Sequence, residues 1–462
     1  MKLSPVLLAA LVLSCTMTPG LSAWAASSGA SKVESASNTE NYVAEPMPEG
    51  IRVVISELEG PVFADAAGSS LYTWPSRNTR NARVVGEAPG VPGCYDTKYR
   101  ETVAFYQPYP AGNILPNVDN RPTCIQHWPP VYAPDGAKPV GNFTIVSRTD
   151  GRKQWAYKNY ALYTSHLDRQ AGQTNGGQSR RAWEGSAEGG PRRPAGPVIA
   201  VPPQFSVDGK RLGRLLVTVR GASVYGFEKD TPVKSNCNGA CLEEWNPILA
   251  PEVAVPLKDW TILVRSNGER QWVFRGQPLY TRALDSKNGS YEGSDVPGWR
   301  NIFLSRAPAW PKGFKTAETV SGLVLTKTSG KTIYLYHCVE DTPDSLFCDT
   351  PDMPQEYRFA VCGANDPDRC LRTFPYVVAE KGAKSESLSW SIMEVDPKTG
   401  RTAQNPEDSL RVWAFRGRPI FTFTEDRQDG DNIQADNWGQ EHGNRNGFKA
   451  YWVREDYDNY MD

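Results

Sequence analysis

The chain repeats itself three times, and that repetition limits its possible folds more than any other feature. Gly68-Ser69-Ser70-Leu71-Tyr72-Thr73-Trp74 aligns with Gly221-Ala222-Ser223-Val224-Tyr225-Gly226-Phe227 and with Gly330-Lys331-Thr332-Ile333-Tyr334-Leu335-Tyr336. A cysteine follows in each copy, four residues ahead of an aromatic: Cys124 before Trp128-Pro129-Pro130-Val131, Cys241 before Trp245-Asn246-Pro247-Ile248, Cys370 before Phe374-Pro375-Tyr376-Val377. A third block pairs Phe143-Thr144-Ile145-Val146 with Gln154-Trp155-Ala156-Tyr157. Its copies are Trp260-Thr261-Ile262-Leu263 with Gln271-Trp272-Val273-Phe274, and Trp390-Ser391-Ile392-Met393 with Val412-Trp413-Ala414-Phe415. Trp128 to Trp155 and Trp245 to Trp272 both span 27 residues, whereas Phe374 to Trp413 spans 39, so the third copy carries a twelve-residue insertion. Each copy then continues with an aromatic, an Asp and a Gly in one register: Tyr163, Asp168, Gly172; Tyr280, Asp285, Gly289; Phe421, Asp426, Gly430.

The blocks alternate large and small side chains, the period of two expected of strands. Asp150-Gly151 and Asn267-Gly268 fall between the strands of the third block and predict type I′ hairpin turns, which need positive φ at both central residues. The third copy has Asp396-Pro397-Lys398-Thr399-Gly400 there, predicting a longer loop. Long helical periodicity is absent, and 37 prolines would break most helices. The expectation is an all-β protein of three tandem antiparallel repeat domains, spanning 50–176, 198–306 and 307–462. A Gly/Pro/Arg linker over 177–197 separates the first two, and Ala307-Pro308-Ala309-Trp310-Pro311 marks the second junction. Closure of the repeats into a propeller-like ring is the architectural alternative. High turn content (40 Gly), 49 aromatics and nine cysteines fit this reading.

The N-terminus places the chain outside the cytoplasm. Lys2 precedes an apolar run from Val6 to Leu13 and a small-residue stretch ending Ala23-Trp24-Ala25, a secretory signal over 1–25. Alternatively, Val12-Leu13-Ser14-Cys15 is a lipoprotein box with Cys15 lipidated, giving an outer-membrane lipoprotein in place of a secreted or periplasmic protein. No later segment reaches the length of an apolar transmembrane helix. Residues 26–49 read as a flexible leader. Either processing route leaves eight cysteines, and an even number in an exported chain predicts disulfides. The register pairs Cys94 with Cys124, Cys237 with Cys241 and Cys362 with Cys370, leaving Cys338 and Cys348 as an extra bridge.

Together these blocks resemble the secreted repeat family of unknown function, predicted lipoproteins with a Tyr-x-aromatic-x-x-Asp motif. Tyr225-x-Phe227-x-x-Asp230 fits as written, as do Cys241 with Trp245-x-Pro247, Gln271-Trp272 through Pro278-Leu279-Tyr280, and Asp285 with Gly289. The first copy has Arg77 at the motif Asp, and the third has Val339. The resemblance implies a secreted or lipid-anchored repeat protein and supplies no activity.

Few residues carry chemistry. The 51 basic and 52 acidic side chains nearly cancel, which argues against a nucleic-acid partner. His127, His166, His337 and His442 stand at non-equivalent positions, and no haem, hydrolase, Walker or Rossmann pattern occurs, so no cofactor or catalytic residue is implied. The Asp168, Asp285 and Asp426 loops read as Asp turns closed by glycine. Only the third is rich enough in carboxylates to consider calcium, through Asp426, Asp429, Asp431 and Asp436. Between Cys94 and Cys124 the first copy carries Tyr95, Tyr99, Tyr106 and Tyr109, an aromatic group suited to sugar rings or a partner chain. The reading is an exported non-catalytic binding or envelope-associated structural protein whose partner is an unidentified envelope protein or glycan. An enzyme or redox accessory protein with a site between repeats is the alternative.

Overall fold

The computed structural model describes residues 41–75, 78–80, 83–96, 122–177, 193–319, 322–337, 351, 355–426 and 447–455. It is all-β, with several small antiparallel sheets and short helices at the cysteines. No helix among these residues is long and apolar enough to cross a membrane. Residues 1–40, with the signal segment, Cys15 and most of the proposed leader, lie outside them. So do Cys338, Cys348, Tyr99, Tyr106, Tyr109, Asp429, Asp431 and Asp436.

Each repeat opens with a hairpin: Arg52–Ser56 with Gly60–Ala64, Phe205–Lys210 with Gly213–Thr218, and Phe314–Thr319 with Gly322–Lys327. The motif strand follows, as Tyr72–Thr73, Tyr225–Phe227 or Tyr334–His337. The inner hairpin comes next: Phe143–Ser147 with Lys153–Tyr157, Trp260–Val264 with Arg270–Phe274, Trp390–Val395 with Leu410–Phe415. A return strand and a closing strand then flank the motif strand on its two sides, as in the order Tyr280–Arg282, Tyr225–Phe227, Trp299–Asn301 of the second repeat. The third repeat does the same with Arg418–Phe421 and Gly447–Ala450. In the first repeat Arg193–Pro194 pairs with Tyr72–Thr73, so the end of the Gly/Pro/Arg segment closes that repeat.

Strand alternation explains the core. Successive side chains of a strand point to opposite faces, so each motif strand feeds two apolar clusters. Leu71, Val224 and Ile333 enter one, and Tyr72, Tyr225 and Tyr334 the other. The first cluster packs the inner-hairpin aromatics, such as Trp260, Trp272 and Phe274. The second packs the aromatic after the cysteine, Trp128, Trp245 or Phe374.

The tight turns differ from expectation. Positive φ at both central residues occurs at Lys158-Asn159, Arg275-Gly276 and Arg416-Gly417, between the inner hairpin and the return strand. At Asp150-Gly151 and Asn267-Gly268 only the glycine is left-handed. There Asp150 Oδ1 accepts the Arg152 amide and Asn267 Oδ1 the Glu269 amide, so the acidic or amide side chain shapes a longer turn.

Disulfides join Cys94–Cys124, Cys237–Cys241 and Cys362–Cys370, with Cα–Cα distances of 5.4, 5.3 and 4.7 Å. By loop entropy alone the first is worth about 3.7 kcal/mol and the second about 2 kcal/mol.

Candidate functional site

The Asp loops are anchored from across the repeat. Tyr72 donates its hydroxyl to Asp168 Oδ2 at 2.8 Å, Tyr225 to Asp285 Oδ2 at 2.8 Å, and Tyr334 to Asp426 Oδ1 at 3.0 Å. Burial pushes these carboxyls up, Asp168 to about 7 and Asp285 and Asp426 to about 6, with the tyrosine hydrogen bond opposing the shift. The glycine-closed Asp turn of the sequence is therefore half of a latch whose other half is the motif tyrosine. Asp426, the one calcium candidate within the described residues, is committed to Tyr334. Among the described residues no three His, Cys, Asp or Glu side chains gather as a metal set.

A second latch crosses the first. In the second repeat the motif Asp230 accepts the Tyr280 hydroxyl at 2.6 Å, so the motif tyrosine and motif aspartate serve opposite ends of the repeat. The first repeat lacks that Asp, and Tyr163, the counterpart of Tyr280, donates instead to buried Glu87 at 2.5 Å. The third repeat has Val339 in place of the Asp and Phe421 in place of the tyrosine, losing donor and acceptor together. A buried hydroxyl without a partner is costly, whereas removing both partners is nearly neutral. Glu87 escaped the sequence reading because it lies outside the repeat register.

A buried arginine organises the cysteine loop. Arg148 donates to Gln154 Oε1 and to the Cys94 carbonyl, both at 2.7 Å, and Arg265 donates to Gln271 Oε1 at 2.6 Å and the Cys237 carbonyl at 2.7 Å. In the third repeat both register positions are fully buried valines, Val395 and Val412. A buried guanidinium of that repeat, Arg358 from the helix Glu356–Gly363, reaches the Tyr376 hydroxyl at 2.9 Å.

Arg148 also joins a surface feature of the first repeat. Its guanidinium lies 4.5 Å from the Tyr95 ring centre and 6.0 Å from that of Tyr132, and the Arg152 guanidinium lies 4.4 Å from Tyr132. Asp150 accepts from both arginines, at 3.1 and 2.7 Å, and the Arg152 hydrogen bond holds its carboxyl well below the ordinary range. Tyr132 is 39 % exposed. Tyr95, one of the sequence candidates for ligand contact, thus belongs to a tyrosine–arginine cluster with Tyr132, Arg148 and Arg152. The last three went unnoticed because they stand in or beside the inner hairpin, away from the tyrosine-rich insertion.

Residues 206–248 match the family model described as a secreted repeat of unknown function. No curated protein and no solved structure matches the chain. The matched stretch holds the opening hairpin from its second residue, the motif Tyr225-x-Phe227-x-x-Asp230, the Cys237–Cys241 bridge and Trp245-x-Pro247. The similarity to this secreted repeat family thus falls in the second repeat, the copy in which both tyrosines are latched to aspartates.

Proposed function

We propose that the protein is an exported, non-catalytic binding protein of the cell envelope, secreted or periplasmic, whose first repeat presents Tyr95, Tyr132 and Arg152 to a glycan, with the buried Arg148 holding Tyr95 and Asp150 in place from within. The observation that carries this reading is the Tyr132–Arg152 pair. At the same register positions the second repeat has Leu249 and Glu269, and the third has Val378 and Leu410. The fold is built twice without the pair, so the scaffold does not require it. Aromatic rings stack on the C–H faces of sugars, and flanking arginine and carboxylate groups bond hydroxyls in defined directions.

The test is cosedimentation of the mature protein with purified envelope polysaccharide. Tyr132→Ala with Arg152→Ala should weaken binding about ten-fold or more, equivalent to about 1.4 kcal/mol. Leu249→Ala, at the matching place in the second repeat, should leave it unchanged. Equal binding by the double variant and the parent would refute this assignment.

A further inference from the structure

The three bridges among the described residues differ in access to solvent. Cys94, Cys124, Cys237 and Cys370 are fully enclosed and Cys362 is 5 % exposed. Cys241 is half-buried, and it sits in a surface loop where Asn238, Gly239, Ala240, Leu242 and Glu243 are all exposed. Its ring is also the shortest, with a sequence separation of 4 against 8 and 30. We propose that Cys237–Cys241 is a thiol–disulfide exchange site that accepts electrons from a dithiol.

Access decides which sulfur is attacked. One thiolate of the dithiol adds to Cys241 Sγ, the Cys237–Cys241 bond breaks, and Cys237 leaves as a thiolate. The leaving group is on a residue whose carbonyl already accepts from the buried Arg265 guanidinium at 2.7 Å, a positive environment for a developing thiolate. The second thiol of the dithiol, as its thiolate, then attacks its own sulfur in the mixed disulfide and releases Cys241 as a thiolate. Two electrons pass to the protein, the dithiol becomes a disulfide, and its two protons are taken up by the two cysteines. Glu243 and Glu244 lie two and three residues beyond Cys241, so a dithiol carrying further negative charge around its thiolate is disfavoured relative to one without it.

Reduction leaves the loop held. Asp230 Oδ1 accepts the Asn236 amide at 2.7 Å, Ser235 Oγ and the Tyr280 hydroxyl are 2.8 Å apart, and Arg265 donates to Ser235 Oγ at 2.8 Å. Trp245, four residues beyond Cys241, stacks on Trp299 with ring centres 3.6 Å apart. None of these contacts passes through the disulfide, so the site can cycle without unfolding its repeat. The bridges of the other two repeats have both cysteines inside their core clusters, whereas here Cys237 is in the cluster and Cys241 packs at its edge.

The folded mature protein, treated with limiting dithiothreitol, quenched with iodoacetamide and peptide-mapped, tests this. Cys237 and Cys241 should be labelled about ten-fold or more faster than Cys94, Cys124, Cys362 and Cys370, with unchanged circular dichroism. With glutathione as a monothiol probe, the trapped adduct should be on Cys241. Labelling of the three bridges at one rate, loss of structure in step with labelling, or an adduct on Cys237 would each overturn the proposal.

Discussion

Asp168, Asp285 and Asp426 occupy one register position, and all three have folded-state pKa values raised by burial. A carboxyl with a raised value binds its proton more tightly in the folded chain than in the unfolded one. Its contribution to stability is full below the unfolded pKa near 4 and is lost as pH rises through the folded value. The window is therefore about pH 4 to 7, and stability falls across it. The depressed groups Asp150 and Asp396 act the other way, losing their contribution only as pH falls below the ordinary carboxylate range. The melting temperature should decline between pH 5 and pH 7.5, and Asp168→Asn should flatten the slope near pH 7, where Asp168 titrates. Calorimetry across that range checks this; a flat profile in the parent protein would show that these carboxyls titrate normally. Sequence showed the Asp in register but not its partner, because Tyr72 and Asp168 are 96 residues apart and meet only in the folded repeat.

At the scale of elements, the motif strand and inner hairpin were legible because their apolar side chains alternate and recur. The opening hairpin was not. Phe-Ser-Val-Asp-Gly-Lys and Phe-Lys-Thr-Ala-Glu-Thr share little pattern, since only some of their side chains reach the core. What makes the hairpin part of the sheet is a distant last strand just after the closing strand, Phe303–Arg306 or Trp452–Glu455, which pairs Gly213 with Arg306 and Gly322 with Glu455. Both glycines have φ of +129°, and a Cβ on Gly213 would sit 2.3 Å from the Ser305 carbonyl oxygen. Gly213→Ala should cost more than about 2 kcal/mol in denaturant unfolding, through backbone strain and displacement of the last strand. A loss within about 0.5 kcal/mol would mean that the strands can part freely.

At the scale of the molecule, the described residues between 41 and 455 form one compact unit, joined by contacts between repeats. The opening-hairpin turns of the first two repeats both meet the third, where Leu58 and Leu212 pack on one apolar cluster. Arg211 lies over the Phe415 and Tyr451 rings, and Arg416 bonds Glu59 and the Thr174 carbonyl. Glu57 takes hydrogen bonds from the Leu388 amide at 2.8 Å, the Ser389 amide at 2.9 Å and the hydroxyls of Ser387 and Ser389. Residues 41–43 pair with 198–200, tying the stretch before the first repeat to the start of the second. Glu57→Ala strips four donors of one carboxylate and should cost about 1–3 kcal/mol. Amide exchange at Leu388 and Ser389 should accelerate with it, and unchanged exchange would show that Glu57 does not hold the junction.

The chain by itself determined the threefold repetition, the β period and the shared position of Cys124, Cys241 and Cys370, because these are local patterns imposed by strand geometry and copied in register. Only the tertiary structure decided which side chains meet. The crossed tyrosine latches, Glu87 in the first repeat, the valines that replace the Arg–Gln pair in the third, and the insertion of two hairpin turns into one repeat all join residues far apart in sequence. Burial sets their energies, and burial exists only once the sheets have packed.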